Sequence, residues 1–271
     1  STYASSRSCR RKRSTSLSAL LWMMLLRALI AKFWQQPYRK KPVHWGTELH
    51  DRFMLPHYVW QDIRDVVCDL QSSGFPVQLE WLAPFYEFRF PHIGSVTQQD
   101  VELEIRTAVE PWHVLGEEVT AQGTSRFVDS AVERLQVRLN GATDGRHIVA
   151  CNGRRVPLRP TGRRGEFVAG VRFKAWQPPS GLHPNIGVHT PLVFDIMDTW
   201  SQRSIGGCTY YSGHPGGRHH ETFPVNANEA ESRRIARFRT FGHTPGRYEV
   251  PAEEVSRDYP FTLDLRKTST C

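Results

Sequence analysis

Residues 189–234 read HTPLVFDIMDTWSQRSIGGCTYYSGHPGGRHHETFPVNANEAESRR and contain most of the unusual residue types of the chain. The apolar run at residues 192–196 predicts a buried strand. A Gly-rich turn follows Cys208, and then a helix, because Asn226 and Glu229 have the spacing of a capping box. No strand–helix–strand rhythm accompanies this stretch, which argues against a doubly wound parallel sheet.

Alternation of apolar and polar residues predicts further strands upstream of this stretch. The segment VELEIR at residues 101–106 would place Glu102 and Glu104 on one face of a strand and apolar residues on the other. From about residue 125 the pattern predicts an antiparallel meander. Its alternating apolar positions are Leu135, Val137, Leu139, Phe167, Ala169, Val171, Phe173 and Ala175. Its turns are marked by Asn140-Gly141, Asp144-Gly145 and Asn152-Gly153.

The N-terminal third predicts helices and one short strand. Apolar residues surround the segment from Leu17 to Trp34 on nearly every side, which predicts a helix buried on most faces rather than a membrane anchor. A second helix would begin near Pro56 and end at Gly74. The segment FYEFRFP at residues 85–91 predicts a strand with Glu87 and Arg89 on one face.

These elements predict an α+β fold with an N-terminal helical segment and a short antiparallel sheet, followed by an antiparallel β-rich domain. The expected division is a disordered basic tail at residues 1–16, an α+β segment at 17–95, a β-rich domain with one late helix at 96–245, and a tail at 246–271. The late apolar piece FTLDL at residues 261–265 is expected to add an edge strand.

The charge and the cysteine content indicate which binding partners and which cellular location to expect. The net charge is +8, and five of these charges lie in the tail, at Arg7, Arg10, Arg11, Lys12 and Arg13, so that the rest of the chain carries +3 (8 − 5). No nucleic-acid motif accompanies the basic tail, so neither nucleic acid nor membrane is an expected partner. The five cysteines are scattered without a CxxC pair, and a reducing cytoplasm is the expected location.

Two groups of residues in the 189–234 stretch are candidates for chemistry. Cys208 with His214 as base could form a nucleophile, oriented by Asp195 or Asp198; alternatively, Cys208 is a small buried residue. The loop after His214 could bind an anion through backbone N–H groups and a guanidinium fork, or be a plain turn. The residues of this loop site are Gly216, Gly217 and Arg218.

A third candidate is a set of strand carboxylates. Glu87, Glu102 and Glu104, with Glu133 as a further member, could bind a divalent cation, or they could form a solvated strand face. The cations nearby in sequence could then hold phosphate or acyl-phosphate oxygens. These predicted catalytic residues are His50, Arg52 and Arg89.

The chain also resembles a known family in several long segments. These are WGTELHDRFMLPHYVWQD (45–62), YEFRFP (86–91), VELEIRTAVEPWHVLGEE (101–118), CNGRRVPLRPTG (151–162), GEFVAGVRFKAWQPPSGLHP (165–184) and the 189–234 stretch. From about Ser16 to its C-terminus the chain resembles the C-terminal amidoligase region of bacterial large transglutaminase-like proteins, a region of the glutamine-synthetase-like carboxylate–amine ligase type.

The resemblance implies a ligase that uses ATP and Mg²⁺ to join a carboxylate substrate to an amine substrate, peptides included, through an acyl phosphate. It implies that Glu87 ligates the metal, that Arg89 stabilises phosphate and that His50 lies on the nucleotide side. The expected partner is an upstream transglutaminase-like region of the same larger protein, whose Cys-His-Asp triad is not carried over to this chain. Tyr211 stands where the family pattern leads us to expect histidine, which weakens a metal role for that segment.

The sequence therefore predicts the C-terminal part of an ATP-dependent carboxylate–amine ligase. Two alternatives stay open at this point. One is a cysteine-dependent acyl transferase or hydrolase that uses Cys208 and His214, and the other is a non-catalytic β-rich module that binds substrate.

Overall fold

The computed structural model describes residues 22–28, 44–111, 114–177, 186–213, 222, 224–247 and 249–268. The chain divides into two compact units. The first comprises Ser1–His44 and Trp60–Phe85, and the second comprises Trp45–Val59 and Tyr86–Cys271.

The first unit is helical. It contains helix α1 (residues 22–28), most of helix α2 (Pro56–Ser72) and a short 3-10 helix, Leu79–Trp81. Pro56 occupies the first position of α2, where its missing N–H leaves no helical bond unmade. After α2 ends, Gly74 adopts a left-handed φ of 86°, and Phe75 N donates to Leu70 O at 3.0 Å. Both predicted ends of this helix are confirmed.

Helix α1 is less buried than its composition predicts. Ala28 is buried, and Met24 and Leu25 pack against the same apolar cluster. Trp22 and Leu26, in contrast, are 72% and 60% exposed. The prediction of burial on most faces is therefore wrong for the described residues, because only one side of the helix meets the cluster. Within the described ranges, every helix is too short or too polar to cross a membrane.

The strand predicted at residues 85–91 is wrong: most of this segment belongs to helix α3, Ala83–Arg89. Phe90 N donates to Tyr86 O at 2.8 Å, which is the helical i to i−4 bond. The rings of Tyr86 and Phe90 lie 5.3 Å apart, as residues four apart on a helix do. A spacing of four fits both a strand face and a helix face, so alternation alone misassigns this segment.

The second unit contains thirteen strands, a short 3-10 helix, Gly46–His50, and one complete α-helix among the described residues. The strands are β1 (His92–Gln98), β2 (Val101–Ala108), β3 (Val114–Thr120), β4 (Gly123–Val128), β5 (Val132–Asn140), β6 (His147–Cys151), β7 (Arg154–Arg155), β8 (Arg159–Pro160), β9 (Phe167–Lys174), β10 (Leu192–Asp198), β11 (Arg203–Tyr210), β12 (Phe238–Arg239) and β13 (Thr262–Asp264). The helix is α4, Ala227–Ile235.

The strands form two sheets and a separate hairpin. The six-stranded sheet has the order β1-β2-β5-β9-β13, with β8 also paired to β9; the five-stranded sheet has the order β12-β11-β10-β6-β7; β3 pairs only with β4. Every pairing is antiparallel except that of β13 with β9, which is parallel. The predicted edge strand at FTLDL is thus confirmed as β13.

One apolar core joins the two sheets into a β-sandwich. From the six-stranded sheet, Leu103, Ile105 and Val137 are fully buried, and from the five-stranded sheet, Phe194 and Ile196 are fully buried. They come from alternate positions, because successive strand residues point to opposite faces. The predicted α+β class, helical first and then β-rich, is confirmed.

Local sequence signals correctly predicted one turn and one helix cap. Asn152 and Gly153 both have positive φ, 48° and 79°, and form the two-residue turn between β6 and β7. At α4, the Asn226 side chain accepts from Glu229 N at 2.7 Å, while the Glu229 side chain accepts from Val225 N at 2.7 Å. The predicted cap of α4 is therefore confirmed.

Candidate functional site

The outer face of the six-stranded sheet is charged and yet largely buried. We call this face the polar layer. Its members are Asp51 from the segment that precedes α2, and the outward side chains of β2, β5, β9 and β13, namely Glu102, Glu104, Arg106, Arg134, Gln136, Arg138, Asn140, Arg172, Lys174, Thr262 and Asp264. Charges removed from water need opposite charges and hydrogen bonds, so these side chains must be held by specific partners.

Asp51 and Arg134 form the most buried pair of the layer, with side chains 1% and 0% exposed and an Oδ1–Nη2 distance of 3.5 Å. Arg134 also donates to the carbonyls of His50 at 3.0 Å and Asp51 at 2.7 Å. Asp51 accepts from Phe261 N at 2.9 Å and from the Thr262 hydroxyl at 2.6 Å. These bonds attach the segment before α2 to strands β5 and β13.

The Arg134 guanidinium lies over Gly170 of β9. A Cβ at position 170 would lie 2.7 Å from both Nε and Nη2 of Arg134, so only glycine leaves this space. Burial, only partly offset by Glu110 and Asp51, lowers the pKa of Arg134 to about 10. The group therefore remains a cation at neutral pH.

Glu104 lies at the centre of a second cluster. Its carboxylate accepts from Arg106 Nε at 3.2 Å and from Arg138 Nη2. Arg106 also donates to Glu87 at 2.8 Å and to the Phe90 carbonyl at 2.8 Å. Two guanidinium groups are thus held beside each other by one carboxylate.

The predicted metal ligands do not fit a magnesium ion. The Arg106 guanidinium binds both Glu87 and Glu104, in the place that a shared cation would need, and Arg138 takes the other oxygen of Glu104. Glu102 instead accepts from Asn140 at 3.2 Å. Glu133 points to the other face of β5, away from the layer. In the described ranges, no three His, Cys, Asp or Glu side chains are grouped to hold a metal ion.

The three predicted catalytic residues have different surroundings. Arg52 forms an ion pair with Glu48 at 3.1 Å, and its guanidinium lies 4.5 Å from the Phe53 ring centroid. His50 is anchored through its carbonyl by Arg134, and its buried Nδ1 has no hydrogen-bond partner within the described segments. Arg89 is exposed at the end of α3, 5.9 Å from the Phe90 ring centroid. His50 therefore adjoins the polar layer, and Arg89 lies on an exposed helix end.

The surroundings of Cys208 are those of a packing residue. It is fully buried in the sandwich core, and burial raises the pKa of its thiol. A reactive thiol needs the opposite, a lowered pKa in a partly exposed electropositive site. Asp195, one predicted orienting group, is occupied by Thr244 N at 2.6 Å and by two hydroxyls. Asp198, the other, is bound to Arg146 at 3.0 and 3.1 Å.

The predicted anion loop and the predicted base cannot be placed in this geometry. His214, Gly216, Gly217 and Arg218 lie outside the described residues. Among the described residues, the polar layer is therefore the candidate site.

Sequence reasoning missed the basic half of the polar layer. Arg134 and Arg138 alternate with apolar residues on β5, and this pattern is typical of a solvated strand face. Complementary charge was the available signal: acidic residues alternate on β2, and basic residues alternate on its neighbour β5. Cross-strand pairs of opposite charge stabilise a sheet, so adjacent strands with opposite signs predict contact between them.

Comparisons with known proteins identify a family for the chain. No curated protein and no solved structure matches it. The model of the family described as "Putative amidoligase enzyme (DUF2126)" matches residues 15–266 of the 271-residue chain, and the chain therefore belongs to this amidoligase family.

Proposed function

We propose that this chain forms part of an ATP-dependent carboxylate–amine ligase, which makes an amide bond through an acyl phosphate. The observation that carries the proposal is the pair of guanidinium groups that Glu104 holds in the polar layer. Arg138 is the one of the two that reaches solvent, because its side chain is 31% exposed while that of Arg106 is 12% exposed. Membership of the amidoligase family supports amide-bond formation as the reaction.

The proposed reaction has two steps. A carboxylate oxygen of the acid substrate attacks the γ-phosphorus of ATP, and ADP leaves. The amine nitrogen of the second substrate then attacks the carbonyl carbon of the acyl phosphate, and the amide bond forms. Phosphate leaves with the electron pair of the broken C–O bond and takes up the proton that the amine loses. Negative charge lies on the carboxylate and phosphoryl oxygens throughout, so preorganised cations stabilise both steps.

Arg138 is the proposed contact to those oxygens. A guanidinium group is always charged and matches a carboxylate or phosphoryl group with two parallel N–H bonds. Glu104 and Arg106 are positioning residues in this proposal, because they hold Arg138 without facing solvent themselves. The polar layer does not fit magnesium, so the proposal assigns no metal to it. The upstream transglutaminase-like region expected from the resemblance stays a proposed partner of this chain.

The test is ADP release by the full chain with panels of acids and amines. We expect sustained release over many turnovers only when an acid and an amine are both present, and we expect Arg138→Gln to lower kcat/KM for the acid roughly 10- to 100-fold by loss of a charge-assisted contact. Arg126→Gln is the matched control, because Arg126 is 67% exposed in the β3–β4 hairpin and pairs only with Glu117 in the described structure. Equal activity of the two variants, or no release from folded protein, would overturn the proposal.

Glu87→Gln separates this proposal from the metal role implied by the family resemblance. The Glu87 side chain is 53% exposed and binds Arg106. We therefore expect the dependence of activity on magnesium concentration to be unchanged in Glu87→Gln. A shift of that dependence to higher magnesium would show that Glu87 ligates the metal after all.

A further inference from the structure

A pocket of about 590 Å³ lies beside strands β9 and β13, at the far side of the polar layer from Glu104. Its charged lining consists of Arg154, Arg172, Arg266, Lys267, Glu254 and Asp264. Four cations and two carboxylates line the pocket, and two carboxylates outside the lining also pair with its arginines, Glu110 with Arg172 at 2.8 Å and Asp129 with Arg266 at 3.7 Å. A volume of this size falls in the range of small-molecule sites, roughly 300–1,000 Å³.

Two of the four cations are neutralised by the carboxylates of the lining. Arg154 binds Glu254 through Nε at 2.8 Å and through Nη2, and it also donates to the carbonyl of Lys267 at 2.8 Å. Arg266 binds Asp264 through Nε at 3.0 Å and Nη2 at 2.9 Å. Both pairs use two parallel contacts, which fixes their geometry.

The other two cations retain binding capacity. The Arg172 side chain is 4% exposed, donates from Nε to Glu110 at 2.8 Å and lies 5.0 Å from the Tyr259 ring centroid, but its Nη2 has no hydrogen-bond partner in the described structure. Lys267 is exposed at the rim, and its ammonium has no ion-pair partner among the residues whose positions are described. A buried donor without a partner is costly, and a bound acceptor would relieve that cost.

We propose that this pocket binds a small molecule that carries a carboxylate or phosphate group. Such an anion would accept hydrogen bonds from the cationic groups of the lining, the buried Nη2 of Arg172 among them. Lys267 would supply attraction at the rim, and Arg172 would supply the cation of the pocket wall. The binding requires neither ATP nor an amine, so it stands or falls independently of the ligase reaction proposed above.

The test is calorimetric titration of the full chain with inorganic phosphate in one series and with succinate in the other, without nucleotide. We expect saturable binding of at least one anion, weakened about tenfold in Lys267→Gln because one charged contact is lost. The anion that binds more tightly shows whether the pocket prefers a phosphate or a carboxylate group. Arg203→Gln is the matched control: Arg203 is exposed on β11, outside the pocket lining, and its loss changes the net charge equally.

A second variant predicts the opposite change. Glu254→Gln removes the carboxylate that holds the Arg154 fork, so we expect the same anion to bind roughly three- to tenfold more tightly. Glu231→Gln, at an exposed ion pair on α4, is its control and should leave the affinity unchanged. The proposal is overturned if folded wild-type protein binds neither anion. It is equally overturned if each pocket variant changes the affinity no more than its control does.

Discussion

The two faces of the six-stranded sheet are buried to a similar degree and by opposite chemistry. On the inner face, Leu103 and Val137 are fully buried in the sandwich core. On the outer face, Arg134 is 1% exposed and Arg172 is 3% exposed. The inner face needs only apolar neighbours of about the right volume, because the hydrophobic effect has no direction. The outer face needs a particular partner for every charge, so we expect it to fail through single substitutions of those partners.

The largest expected effect is at the buried ion pair. Asp51→Ala leaves the Arg134 guanidinium without its ion-pair partner in a fully buried site, and removes the acceptor of Phe261 N and the Thr262 hydroxyl. We expect the free energy of unfolding to fall by about 3–5 kcal/mol. Chemical denaturation measures this loss. Glu48→Ala, which breaks the exposed ion pair to Arg52, should cost less than about 1 kcal/mol. Similar losses in the two variants would show that the polar layer is no more demanding than the surface.

The next largest expected loss of stability is on the inner face of the sheet. Leu139→Ala removes a fully buried side chain from the strand that carries Arg134 and Arg138 on its other side. We expect a loss of about 2–5 kcal/mol, set by how far the cavity collapses. The same denaturation experiment applies. A double variant with Asp51→Ala should be nearly additive if the two faces act independently, and a large coupling energy would contradict that separation.

A single added methyl group tests how tightly the outer face is packed. Gly170→Ala would place Cβ 2.7 Å from two atoms of the Arg134 guanidinium, which is buried and held by hydrogen bonds to two carbonyls. We expect a loss of about 1–3 kcal/mol from the forced shift. Gly116→Ala on β3 is the control, because its Cβ would meet no atom within 4 Å. Equal stability of Gly170→Ala and wild type would mean that the guanidinium can move without cost.

The smallest expected effect concerns an ion pair outside the polar layer, between Asp198 of β10 and Arg146. The hydrogen bonds from Arg146 lower the pKa of Asp198 from 3.8 to about 2. A lowered carboxyl pKa stabilises the folded chain above the unfolded-state value, so this contribution is complete above about pH 4 and is lost as the pH falls towards 2. Asp198→Asn should therefore flatten the acid limb of a stability–pH curve. An unchanged acid limb would contradict the assignment.

Much of the sandwich was predictable because its signals are local. Alternation in the β2, β5 and β9 segments identified strands and inward faces, and the apolar run at residues 192–196 identified β10. Asn152-Gly153 identified a hairpin turn. Helix α3 was missed because Tyr86 and Phe90 satisfy both the strand and the helix period. Alternation shows which residues share a face, but it does not show what will cover that face.

The candidate site was only partly predictable for the same reason. The sequence pointed to Glu104, Glu87 and His50, and the structure places all three in or beside the polar layer. The partner of a residue outside the strands was not predictable, because nothing local links Glu110 to Arg172, 62 residues later. A magnesium site and an arginine-bridged carboxylate pair begin from the same acidic residues, and only the position of the distant guanidinium distinguishes them.

The bond between Asp51 and Thr262 has a consequence for the order in which the protein is made. These residues are 211 positions apart, so Asp51 emerges from a ribosome long before the strand that completes its hydrogen bonds. During that interval Arg134 and Gly170 have been synthesised, but β13 has not. In a nascent chain that folds early, the edge of β9 that pairs with β13 in the folded protein has no partner strand until β13 has been made. Translation pauses shortly before residue 262 would prolong exposure of that unfinished edge, and we expect them to increase aggregation.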